Sequence, residues 1–205
     1  MRIFGSANLP FPAVAAGGDP TGLTVVSDQP VYVQGDYNSA GTWQPAAIFG
    51  DSINVLSNNY FCPNPATTNP TNCATTTPAT INDAQGYLAL ADSARDAAST
   101  TINAAFLAGM DTTTSGNYNG GLENYPRFHE DWGGQTLTYA GSFVSLGTPL
   151  HVSGAWCGTG TTCNIYNPPA RNWDYDTRFN DARNLPPLTP RFVYVQQVLF
   201  TENFQ

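Results

Sequence analysis

The chain has no lysine: its seven basic residues are all arginines, set against 15 Asp and Glu for a net charge of -8. Charged residues make up only 11% of the sequence, so the Glu/Lys vocabulary of surface helices is nearly missing. Basic residues form no cluster, and without one a protein cannot displace the counterions of a phosphate backbone, which excludes nucleic acid as a partner. No apolar run approaches the roughly 20 residues needed to cross a bilayer, and the acidic balance disfavours attraction to anionic lipid. A Gly-x-Ser-x-Gly nucleophile elbow is absent, and so is a phosphate-cradling loop opening a helix.

What remains is Thr, Ser, Asn and Gly beside Val, Ile, Tyr and Phe, residues that suit strands and tight turns. The composition predicts an all-β or β-dominated fold, and 205 residues suffice for one sizeable core. Residues 1–21 read as a Pro/Gly-rich lead-in and 22–205 as a single β-rich domain with loop excursions.

Within that domain, "VVSDQPVYVQGD" aligns with "IFGDSINVLSN" as a repeat of strand, corner and strand, the corners being Ser27-Asp28 and Gly50-Asp51. Further β-type runs occupy 101–109, 136–154 and 191–200. Strands alternating with sharp corners predict a β-solenoid of the parallel β-helix kind, with long loops and one short capping helix; the alternative is a β-sandwich. The Ala-rich stretch 81–100 reads as a surface excursion with one or two helical turns, and 60–80 and 156–190 as long polar loops.

The four cysteines fall in two close pairs, Cys62 with Cys73 and Cys157 with Cys163. Neither has zinc-knuckle or redox spacing, so the expectation is two local disulfides, stable only in an oxidising compartment. That places the protein outside the cytoplasm. The N-terminus nevertheless lacks a signal-peptide core, which predicts a fragment of a longer exported protein.

The densest chemistry lies in "GGLENYPRFHEDWGG", residues 120–134. Asn124 as N-cap, Pro126 in the first turn and Gly133-Gly134 as stop predict a helix over 125–132. Tyr125, Phe128, His129 and Trp132 would then form one inward aromatic face, with Arg127, Glu130 and Asp131 largely on the other side and Arg127 pairing with an acid. Glu123 and Glu130 would stand about 10.5 Å apart along such a helix, beyond the roughly 6.5–9.5 Å of an inverting glycosidase pair. Packing is therefore expected of His129, rather than catalysis or metal binding.

Two other places carry candidate ligands. Asp174, Asp176 and Asp181 open like a calcium loop but lack its glycine and closing glutamate, so an Asp/Arg network with Arg171, Arg178 and Arg183 is expected in place of a calcium site. His151 lies in a strand-like run with no acidic partner nearby. No cofactor and no catalytic residue is assigned.

The stretches "GLTVVSDQPVYVQGDYN", "PAAIFGDSINVLSNNY", "TTINAAFLAG", "GGLENYPRFHEDWGGQTLTYAGSFVSL", "YNPPARNWDYDTRFND" and "LPPLTPRFVYV" span most of residues 20–195. Together they resemble the extracellular domain of large pilin-like proteins of the PilX-like pilus-assembly type, and are similar to cyanobacterial surface proteins linked to hormogonium polysaccharide. The resemblance implies an envelope-exposed module carried behind a membrane-anchoring helix that this chain lacks, and it brings no catalytic residues. The expected function is a non-catalytic structural or adhesive surface module acting on other pilus or envelope proteins or on surface glycans, with homo-oligomer or filament formation open. The alternative is a polysaccharide-active lyase or hydrolase on a solenoid.

Overall fold

The computed structural model of the chain describes residues 1–11, 21–60, 93, 95–110, 125–152, 156–158 and 164–190. Cys62, Cys73, Cys163, Glu123, Asn124, the run 191–200 and most of the 81–100 stretch lie outside the described residues.

The protein is strand-dominated. In chain order the strands are β1 (Arg2–Phe4), β2 (Leu23–Val26), β3 (Val31–Gln34), β4 (Ala46–Gly50), β5 (Ile53–Leu56), β6 (Thr100–Ala108), β7 (Arg127–Phe128), β8 (Thr136–Ser145), β9 (Cys157–Gly158), β10 (Asn164–Tyr166) and β11 (Ala170–Tyr175). Two main sheets form, one ordered β1-β3-β5-β7 and one ordered β2-β4-β6-β8-β11, with β9 and β10 as a separate pair. Every pairing between these strands is parallel.

From β2 to β8 successive strands alternate between the two main sheets. The sequence repeat is visible in the register: Val25 pairs with Ile48 and Val26 with Phe49 on one sheet, then Val31 with Ile53 and Val33 with Val55 on the other. Between them the chain turns at Ser27-Asp28 in one repeat and Gly50-Asp51 in the next. A Cβ on Gly50 would stand 2.8 Å from Val31 Cγ2, so the second corner fits only because it carries no side chain.

Between the sheets lies the main core. Val31, Val33, Ile53, Val55 and Phe128 meet Ile48, Ile102, Phe106, Leu137 and Tyr139, all buried. Each fully buried aliphatic or aromatic side chain contributes about 1.5–3 kcal/mol over its exposed state. Equivalent positions stack in register, as in Ile48, Phe106 and Phe143.

The predicted helix over 125–132 is not formed. Arg127 and Phe128 instead make β7, paired with Asn54 and Val55 of β5. The residue before a proline is disfavoured in the α region, and an in-register strand edge was on offer, so tertiary pairing overrode the local helix signals. The 156–190 stretch also departs from the loop expectation, because β9, β10 and β11 lie within it. β11 pairs with β8 over six residues yet leaves most of its side chains exposed, which is why its sequence shows no apolar alternation. The expected lead-in contributes β1 to the four-stranded sheet.

After β11, two 3-10 turns, Thr177–Asn180 and Ala182–Asn184, carry the chain back across the outside of the five-stranded sheet. The register column Thr24, Ala47, Ala105 and Ser142 is small-sided. Phe179 packs against Ala47 and Ala105 in that trough, and Thr24 Oγ1 donates to the Pro187 carbonyl. The strap thus reaches from β11 to β2.

Candidate functional site: a buried polar cluster and an open acidic cleft

The outer face of the four-stranded sheet carries the register column Arg2, Tyr32, Asn54 and Arg127. Successive residues of a strand point to opposite faces, so Phe128 enters the core while Arg127 joins this column. His129 follows it: its ring lies 5.6 Å from Tyr32 and 4.6 Å from Trp156, and its Nε2 is 2.9 Å from Asn54 Oδ1. Asn54 Nδ2 donates to Val31 O and Ser52 Oγ, which turns the amide oxygen toward the ring. Nε2 therefore carries the proton and donates it. Burial, then the Arg95 and Arg127 charges, lower the His129 pKa to about 3, so the ring is neutral at physiological pH.

Glu130 is fully buried. Its Oε2 accepts from the Ser57 backbone N–H at 2.6 Å and its Oε1 from Ser57 Oγ at 2.7 Å. Burial pushes its pKa up to about 8, against the opposing pull of the two Ser57 donors and of Arg95. Arg95 is itself buried; its Nη2 donates to Ile165 O at 2.8 Å, while its Nε has no hydrogen-bond partner. Tyr60 completes the surroundings, its pKa raised by burial first and by the Glu130 charge second.

The expected aromatic set divides accordingly. Tyr125, Phe128 and Trp132 are in the core, with Phe128 and Trp132 edge to face at 5.6 Å, whereas His129 sits on the opposite side of β7. All four are buried, as a packing role requires. The expected outward placement of Arg127 and Glu130 is corrected: both are buried too. The Arg127 guanidinium lies over the Trp156 ring, 5.3 Å from its centroid.

A second, accessible feature lies beside it. Residues 95–97, 130–132 and 167 run side by side, with Asp96 bridged to Asp131 and Asp131 to Asn167. Asp96 and Asp131, with Asn59, Gly133 and Gln135, line a shallow polar cleft. Asp131 Oδ1 already accepts from Gly133 N at 2.8 Å and Asn167 Nδ2 at 2.9 Å.

The remaining candidates are dispersed. Asp174 sits in β11. Asp176 caps the first 3-10 turn and pairs with Arg178 at 2.7 Å, and Asp181 caps the second and pairs with Arg183 at 2.6 Å. Arg171 lies over the Trp173 ring, 5.2 Å from its centroid. Among the described residues no three His, Cys, Asp or Glu side chains gather as a metal-ligand set. His151 lies beyond β8, exposed, and its backbone N–H donates to Asp51 Oδ2 at 2.9 Å. Cys157 is buried and disulfide-bonded, with its partner outside the described residues.

Sequence reasoning missed Asn54, Ser57, Arg95 and Asp96. Asn54 carried a faint signal, being the polar residue inside the apolar strand "INVL". The others lie in turns and strand approaches where periodicity says nothing. Among the described residues, no helix is long and apolar enough to cross a membrane.

Comparison of the chain with protein-family models, with curated proteins and with solved structures found no match.

Proposed function

We propose that the chain is a non-catalytic structural or adhesive module of the bacterial cell surface, built as a β-solenoid and working through protein–protein or protein–glycan contacts. Three features support the solenoid over a sandwich of antiparallel hairpins. The pairings are parallel, strands alternate between two sheets, and the two Asp corners recur in register. The extracellular assignment rests on the cysteine spacing and on the buried, bonded Cys157. The resemblance to PilX-like and hormogonium-associated surface proteins points the same way.

One observation carries the functional reading. The two groups best suited to proton transfer, His129 and Glu130, are 6% and 0% exposed and spend their hydrogen bonds on Asn54 and Ser57. A general acid or base has to reach substrate, and these face internal partners. Glu130 is bound to Ser57, Asp174 lies in β11 and Asp176 pairs with Arg178, so these three carboxylates do not converge; the two that do share an accessible cleft are Asp96 and Asp131.

The test is incubation of the purified protein with bacterial envelope polysaccharides and envelope protein fractions. Saturable binding or self-assembly, with no new reducing ends and no unsaturated sugar product, is the expected result. Turnover of any of these glycans would overturn the reading in favour of a lyase or hydrolase. Binding unchanged by deletion of both cysteine-bracketed loops would remove those loops from the contact surface.

A further inference from the structure

We draw no further inference here: the strongest candidate, the in-register apolar stripe Val26, Phe49, Leu107 and Val144 on the outer face of the five-stranded sheet, is exposed at both ends, but nothing in the structure shows what covers it.

Discussion

Ser57 donates to both carboxylate oxygens of Glu130, through its backbone N–H at 2.6 Å and its hydroxyl at 2.7 Å, across 73 residues of chain. The bond joins the end of β5 to the segment just after β7, so a side chain doubles the connection that the β5–β7 ladder makes through backbone. Replacing Glu130 by Ala strands two buried donors, at a cost of about 1–3 kcal/mol for each that finds no other acceptor. Urea unfolding of Glu130→Ala should show that loss, and a midpoint equal to the parent would refute it.

Glu130 and His129 set opposite pH limits. The Glu130 pKa is raised from 4.5 to about 8, so the folded state binds more protons between these values and stability falls as pH rises through the window. The His129 pKa is lowered from 6.5 to about 3, so the unfolded state binds more protons and stability falls as pH drops from 6.5 toward 3. A stability maximum near pH 5–6 follows from these two groups. Glu130→Gln should flatten the decline between pH 6 and 8 in urea midpoints; a decline as steep as the parent's would show that other groups set it.

Asp28 and Asp51 occupy the same place in the repeat and should respond differently to truncation. Asp51 accepts the backbone N–H groups of Leu150 and His151, whereas Asp28 is exposed at its corner. Asp51→Ala should cost about 1–2 kcal/mol and raise hydrogen exchange at residues 150 and 151. Asp28→Ala should stay within about 0.5 kcal/mol, in line with other surface changes. Equal effects would contradict the assignment.

Gly141 sits within β8 where a Cβ would collide with the Ala104 carbonyl oxygen of β6 and stand 2.5 Å from Tyr139 Oη. Tyr139 Oη donates to that same carbonyl at 2.7 Å, so the hydroxyl has little room to yield. Gly141→Ala should destabilise by about 1–3 kcal/mol as an overpacked position, with loss of near-ultraviolet signal from the Tyr139–Phe143 stack. A neutral result would mean that β8 can shift away from β6.

Cys157 is disulfide-bonded, and the expected pairing of all four cysteines predicts that protein isolated from its native setting, denatured without reductant, exposes almost no thiols. Four titratable thiols would overturn the oxidising-compartment argument. Cys157→Ser should cost about 2–4 kcal/mol if the bond closes a loop of ordinary length.

Much of the fold was legible because corners and strands leave local marks. The pairing of Val25 with Ile48 and of Val31 with Ile53 follows the alignment read from "VVSDQPVYVQGD" and "IFGDSINVLSN". The stretch around His129 was misread because helix-start and helix-stop residues are equally good turn residues. Only the neighbouring edge of β5 decides between a helix and β7. β11 was invisible for a different reason: an edge strand with both faces largely wet needs no alternating pattern. For the candidate site, the burial of His129 was foreseen from its aromatic neighbours. The burial of Arg95, Arg127 and Glu130 was not, since charged side chains almost never enter an interior unless partners elsewhere in the chain meet them.

The strap after β11 has a mechanical meaning. Sheets held by stacked parallel strands peel one strand at a time when pulled along the stacking direction. Here the segment from Asp176 to Pro187 spans β8, β6, β4 and β2, tied at one end by Asp176 N–H to Gly141 O and at the other by Thr24 to Pro187. It forms a second connection between the first and last strands of that sheet, one that runs through Phe179 in its alanine trough and not through the intervening ladders.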